Sequence, residues 1–301
     1  MIIYSGMDYE SITGFVDKER IRTQEGLDIG IAGRVFLITG GAGGFGYGIA
    51  EALASMGAGI CISGRNIQRV NDAVKRLSDD HKADVIGVRA DVTDEESVRN
   101  LVFETVKHFG GLDVLVSCAG IVIAGELKDF TREDFDQVTA TNYTGFFLCS
   151  KYAVEVMREQ RKLDPARMHD IIEINSKSGL EGSKANFAYA GSKFGGIGLV
   201  QSFALEFAQY GIKVNAICPG NHLDGPLWGD PVNGLLRQYL DAGKVPGAKT
   251  LDDVRAFYEA KVPLGRGCHV EDVVCAIKYV IEQKYETGQA VPVTGGQVMM
   301  R

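Results

Sequence analysis

The chain has 301 residues, 45% hydrophobic and 24% charged, which fits one large α/β domain with appendages in a globular protein. Its 32 basic and 39 acidic side chains give a net charge of −7, which argues against broad nucleic-acid or anionic-membrane binding but leaves room for a local basic pocket. The opening MIIYSGMDYESITGF has no basic n-region, no stretch approaches membrane-spanning length, and six scattered cysteines form no CxxC pair, so a soluble cytoplasmic protein is expected, with neither nucleic acid nor membrane as partner.

Residues 1–32 are polar and mixed, and read as an N-terminal arm lying on the surface or across a neighbouring subunit. From about residue 34, short apolar runs alternate with helical patterns. VFLIT (35–39), ICIS (60–63), VIGVR (85–89), VLVS (114–117), IIEIN (171–175), KVNAIC (213–218) and AVPVT (290–294) read as strands, apolar on both faces as in a covered parallel sheet. Helices are predicted over 46–56, 66–78, 94–109, 131–161, 189–210 and 270–283. Strand and helix in strict alternation predict an α/β fold over 33–301, a single doubly wound, Rossmann-type sheet of seven parallel strands with helices on both faces. Residues 220–262 interrupt the path to the last strand with Pro, Gly, the only tryptophan and helical patches around 233–241 and 251–261. An insertion after a strand's C-terminal end lies where open α/β sheets bind ligands, so this segment reads as a substrate lid.

TGGAGGFG (39–46) follows the first strand and opens a helix. Gly40, Gly44, Phe45 and Gly46 suit a loop whose backbone approaches a pyrophosphate at a helix N-terminus. After the third strand, Asp91 with Val92 either contacts an adenine ring or leads into the cap of the next helix. The second strand ends in Gly64-Arg65, where an NAD enzyme usually places an acid. Arg65 either pairs bidentately with the 2′-phosphate of NADP or is a solvated residue beginning a helix. NADP is favoured slightly over NAD.

AYAGSKFGG (188–196) sets Tyr189 and Lys193 one helical turn apart. A free phenol ionises near pH 10, and a neighbouring ammonium favours the phenolate that acid–base work at neutral pH needs. The small residues Ala188, Ala190, Gly191 and Ser192 are expected to leave room for cofactor and substrate. Ser176, thirteen residues before Tyr189 at the end of the fifth strand, is placed to hold a substrate oxygen. His222 and Trp228 either touch substrate or close the lid on the body. Cys268, His269 and Cys275 fit no usual metal spacing, and no metal is expected.

TGxxxGxG (39–46), Ala119-Gly120, Asn142, Ser176, Tyr189-x-x-x-Lys193 and Pro219-Gly220 together resemble the short-chain dehydrogenase/reductase family over residues 33–301. The resemblance implies a Ser176–Tyr189–Lys193 site, with the backbone of Asn142 holding a proton-relay water midway along a long helix. It also implies cofactor contacts from Ala119, Gly120, Pro219 and Gly220 and from Tyr189 and Lys193. A tetramer formed through the helices around 142–147 and 189–210 is implied as well. Cys118 stands where the family's Asn-Ala-Gly motif has asparagine, so local support of the sheet must differ.

INSKSG (174–179), the run 193–212, VPLGRGC (262–268) and TGQAVPVTGGQVM (287–299) resemble the sorbitol-6-phosphate dehydrogenase branch of that family. That branch interconverts a hexitol 6-phosphate and fructose 6-phosphate, generally with NAD. The arm and Arg65 depart from it. Lys177, Lys184, His222 and Arg266 are the expected substrate residues, the three cations as ligands of a phosphate; otherwise the lysines are solvated and Arg266 ties the lid down. The expected activity is thus the interconversion of a secondary alcohol and a ketone on a hexitol phosphate, with the same chemistry on a neutral polyol or other secondary alcohol, or a cofactor-binding scaffold or redox sensor without turnover, as alternatives.

Overall fold

The computed structural model describes residues 12–23, 30–184, 186–232, 234–241 and 243–299. Seven strands form one parallel sheet: β1 Val35–Thr39, β2 Gly59–Gly64, β3 Val85–Arg89, β4 Val114–Ser117, β5 His169–Ile174, β6 Ile212–Pro219 and β7 Ala290–Val293. Their order is β3-β2-β1-β4-β5-β6-β7. The winding reverses between β1 and β4, where Phe36 pairs with Ile60 on one side and Val114 on the other. A crevice opens beyond the strand ends at such a switch point.

Alternation along each strand sends side chains into two layers. Phe36 and Ile38 of β1 pack with α2 (Gly44–Ser55), α3 (Ile67–His81) and α11 (Val270–Glu282). Val35 and Leu37 pack with α4 (Glu95–Phe109), α6 (Gly145–Leu163) and α7 (Phe187–Phe207). Each such side chain, fully buried, contributes about 1.5–3 kcal/mol. Helix starts follow local chemistry: Asn66 caps α3 by accepting from the Arg69 N–H, and Asp94 caps α4 by accepting from those of Glu96 and Ser97.

The helix expected over 131–161 is divided. α5 (Arg132–Thr139) runs into a π-helical turn, Ala140–Thr144, and then into α6. Between β6 and α11 lie α8 (Pro226–Gly229), α9 (Leu235–Asp241) and α10 (Leu251–Glu259). They gather around a small core of their own, which includes Leu223, Trp228, Tyr239 and Val254.

Of the expected arm, residues 1–11 and 24–29 lie outside the described residues. Residues 12–23, with α1 at Lys18–Thr23, pack on the chain's own body: Ile12, Val16 and Ile21 join the layer of α4 and α6, and Phe15 meets Phe103 edge-on at 5.2 Å. No helix among the described residues is long and apolar enough to cross a membrane.

Candidate active site

A cleft of about 1380 Å³ runs across the C-terminal ends of β1 to β6 and under the lid. At one end the loop after β1 enters α2. No side chain caps this helix, so its first N–H groups are free to meet an anion. Gly40 has φ +67, and a Cβ on Gly46 would lie 2.3 Å from the Gly40 carbonyl oxygen, so only glycine lets the turn close. The loop is therefore shaped for a dinucleotide pyrophosphate. Gly40, Gly44, Phe45, Gly46, Arg65, Asp91, Val92, Ala119, Gly120, Pro219 and Gly220 all line this cleft.

Arg65 makes no ion pair among the described residues, and Arg69, a turn later on α3, lines the same wall. Asp91 accepts from the Thr93 N–H at 3.0 Å and hydroxyl at 2.8 Å. Partial burial would raise its carboxyl, but those bonds and the charges of Arg65 and Arg89 hold it below the usual range. The true cap of α4 is Asp94, which leaves Asp91 facing the cleft.

Where the family's asparagine is replaced, Thr39 supplies the support. Its Oγ1 accepts from the Cys118 N–H at 3.0 Å and the Ala119 N–H at 3.1 Å. Burial pushes the Cys118 thiol up to about 11, so it is not a ready nucleophile.

Further along, Ser176 caps the short 3-10 turn Lys177–Gly179, its Oγ accepting from the Ser178 N–H at 3.1 Å. Tyr189, Lys193 and Ser176 line the cleft together. Lys193 is buried; its Nζ donates to the Ile174 carbonyl at 2.8 Å and lies 3.7 Å from Oε1 of Glu173. Burial pushes the Glu173 carboxyl up and Lys193 draws it partly back. Its other oxygen accepts from Asn175 Nδ2 at 2.8 Å, and that amide also donates to the Lys193 carbonyl at 2.9 Å.

Asn142 occupies the π-helical turn and does not sit midway along one regular helix as expected. Its side chain clamps the loop after β4, with Oδ1 accepting from the Ile121 N–H at 2.8 Å and Nδ2 donating to the Ile121 carbonyl at 3.0 Å. Nδ2 also donates to Ser192 Oγ at 3.1 Å, and that hydroxyl donates to the Tyr189 carbonyl at 2.7 Å. The π-turn shifts the regular carbonyl ladder by one residue, the Gly145 N–H donating to the Ala140 carbonyl.

The small residues beside Tyr189 serve a different purpose from the one expected. Ala188, Ala190, Gly191 and Ser192 do not line the cleft; Ala188 and Ala190 are buried in packing. On the next turn, a Cβ on Gly196 would come within 2.3 Å of Glu173 Oε1. Clearing bulk from this helix lets the Lys193 counter-ion fit.

Of the expected substrate residues, Lys177, Lys184 and His222 face the cleft. His222 stacks on Phe45 with ring centroids 4.3 Å apart, and its Nδ1 pairs with the Cys268 carbonyl at 2.9 Å, which puts it beside the glycine loop. Arg266 does not face the cleft. It forms a two-pronged pair with Asp272, at 2.6 and 2.8 Å, and borders a smaller separate pocket. Sequence reasoning missed Arg69, Glu173, Lys244 and Lys261. Spacing from Arg65 signalled the first, whereas the lid lysines had only their place in the 220–262 segment to mark them. No group of three or more His, Cys, Asp or Glu side chains among the described residues is arranged to hold a metal ion.

The profile of the short chain dehydrogenase family matches residues 34–225. The sorbitol-6-phosphate 2-dehydrogenase of Escherichia coli K12 is 37% identical over 269 residues, covering 88% of this chain and 99% of its own. The solved structure of sorbitol-6-phosphate 2-dehydrogenase from Erwinia amylovora superposes with a TM-score of 0.80 at 36% identity, covering 88% of this chain and all of the other. An actinorhodin polyketide ketoreductase solved with NADPH gives a TM-score of 0.76 at 29% identity, over 88% of this chain and 97% of its own.

Proposed function

The chain belongs to the short-chain dehydrogenase family and is an oxidoreductase, and from that premise we propose that it interconverts a hexitol phosphate and a ketose phosphate, such as sorbitol 6-phosphate and fructose 6-phosphate. The observation that carries this reading is that Ser176, Tyr189 and Lys193 share one cleft with Lys177 and Lys184. A secondary alcohol can lie at the phenol while an anionic end meets ammonium groups.

In this reading Tyr189 takes the alcohol proton on oxidation and returns it to the ketone oxygen on reduction. Ser176 orients that oxygen. Lys193 supplies positive charge beside the phenol and hydrogen bonds to the nicotinamide ribose, and the π-turn at Asn142 holds the water through which the proton leaves. Gly40, Gly44, Phe45 and Gly46 cradle the pyrophosphate, Asp91 and Val92 border the adenine, and Arg65 with Arg69 favours a 2′-phosphate, hence NADP over NAD. The nicotinamide cofactor, when bound, accepts or supplies the hydride. The six cysteines are unpaired, in keeping with a cytoplasmic setting.

Kinetics on hexitols with and without a phosphate, each with NAD and NADP, test the assignment. Sorbitol 6-phosphate should be oxidised with a higher kcat/KM than sorbitol. A wild-type preference for the neutral polyol would overturn the phosphate reading and leave the dehydrogenase assignment standing. We also infer a homotetramer built on α6 and α7, which expose Phe147, Phe194 and the 85% accessible Leu205. Light scattering that returned a monomer would refute it.

A further inference from the structure

The cleft is unevenly charged for a protein of net charge −7. Its substrate half is lined by Lys177, Lys184, Lys244 and Lys261 against one carboxylate, Glu126, which lies 3.5 Å from Lys128 outside the cleft. None of the four lysines forms an ion pair with a carboxylate among the described residues.

Two of them come from the loop after β5 and two from the lid, so like charges face each other across the opening. They are also matched in pairs. Partial burial and the charge of Lys261 lower the Lys177 ammonium against the pull of Glu181, and partial burial and the charge of Lys184 lower Lys244. The lid ammoniums rest on the lid's own rings: Lys244 Nζ is 4.2 Å from the centroid of Tyr239, and Lys261 Nζ is 4.0 Å from Phe257 and 4.9 Å from Tyr258. Tyr239 and Tyr258 in turn pack on Trp228, at 5.7 and 4.9 Å. The Lys244 and Lys261 side chains are themselves exposed, and a solvated ammonium on a ring is held only weakly, so a dianion can draw it away.

We propose that Lys177 and Lys184 of the body and Lys244 and Lys261 of the lid form a clasp for a phosphate monoester at the far end of the substrate. The proposal rests on the hexitol-phosphate reading and adds to it the residues and the motion. A phosphate monoester carries about −1.5 to −2 charges at neutral pH and three acceptor oxygens, enough to engage ammoniums from both walls at once. Its arrival cancels the repulsion between the walls, draws the lid pair off their rings and closes the lid over Tyr189. Binding energy from a part of the substrate that does not react is thereby used to exclude water and fix the alcohol at the phenol. A neutral polyol brings nothing to bridge the walls.

The test uses full-length enzyme saturated with reduced cofactor, so that the cofactor's own phosphate site is filled. Wild type, Lys244→Ala, Lys261→Ala, the double variant and Lys249→Ala are compared, the last being an exposed lid lysine that does not line the cleft. Inorganic phosphate is titrated while the emission of Trp228, the only tryptophan, is followed, with chloride at matched ionic strength as control. A saturable change is expected in wild type and Lys249→Ala, and at least about tenfold weaker binding in the double variant. In parallel, kcat/KM for sorbitol 6-phosphate relative to sorbitol should fall about tenfold per lid lysine, mainly through KM, with Lys249→Ala unchanged. Absence of a saturable phosphate response in wild type, or an undiminished one in the double variant, overturns the clasp. If wild type prefers sorbitol to its phosphate, the hexitol-phosphate reading falls, and the phosphate titration still decides the clasp by itself.

Discussion

Tyr189 sits where β5, α7 and the lid converge, with Ser176 and Lys193 on the same wall of the cleft. Phenylalanine at 189 keeps the ring and removes the hydroxyl with its transferable proton. Tyr189→Phe is expected to bind cofactor as wild type does and to lose about 10²–10⁴ in turnover, the usual contribution of a positioned acid–base group; near-normal turnover would remove Tyr189 from the role. Arg65 invites a parallel experiment on the other end of the site. Arg65→Ala should weaken NADP by about 1–3 kcal/mol, as for a charge-assisted hydrogen bond, and leave NAD almost untouched. Equal losses in a fluorescence titration of the two cofactors would reduce Arg65 to a solvated residue just before the Asn66 cap of α3. Both side chains stood out in the sequence because each belongs to a short local pattern. Glu173 did not. It lies inside IIEIN, and a buried acid in an apolar strand becomes meaningful only when Lys193, twenty positions later, is folded against it.

Elements were legible where a local rule set their limits. β1, β3 and β4 begin and end where apolar runs do, and α3 and α4 start at Asn66 and Asp94, side chains that accept from the first turn. The break between α5 and α6 has no comparable signal, since the Asn142 bonds that accompany it reach Ile121 and Ser192. The same is true of α1. Its Arg20 donates at 2.8 Å to Asp113, a buried carboxylate that also takes Arg167 at 2.6 Å and the Val35 N–H at 2.8 Å. Burial would raise the Asp113 carboxyl, yet Arg20 and Arg167 drive it far below the usual carboxylate range. A depressed carboxyl stabilises the fold fully above its unfolded value, about 3.9, and loses that contribution as the pH falls toward the folded value. Arg20→Met should therefore destabilise the protein by about 1.5–3 kcal/mol near neutrality. In denaturant titrations the gap from wild type should shrink below about pH 4. A gap independent of pH would mean that Arg20 acts through packing alone.

On the scale of the molecule, the two ends of the sheet are divided by task. The N-terminal ends of the strands bury Asp113 with Arg20 and Arg167, and Asp170 with Arg34 and Lys213, the latter at 3.0 Å. The C-terminal ends hold the cleft, whose lysines stand out against a surface with a net charge of −7. The alternation of strand and helix announced this polarity, because open parallel sheets bind ligands at their C-terminal edge. The sign of the field in the cleft was legible only in part: Lys177 and Lys184 were expected to meet a phosphate, whereas Lys244 and Lys261 join them only through the fold of the lid. Such a field focuses on one class of substrate. An anion approaching an acidic protein is repelled at long range and captured only near the cleft, and charges separated by more than about 10 Å are screened at 0.1 M salt. The short-range attraction is screened less than the long-range repulsion, but it is still weakened as ammoniums and phosphate exchange ions with the solvent. With cofactor saturating, kcat/KM for sorbitol 6-phosphate should therefore fall several-fold between low and moderate potassium chloride. The value for sorbitol should stay flat, since no charge on the substrate couples to the field. Parallel salt curves for the two substrates would show that the cationic cleft does not recognise the phosphate.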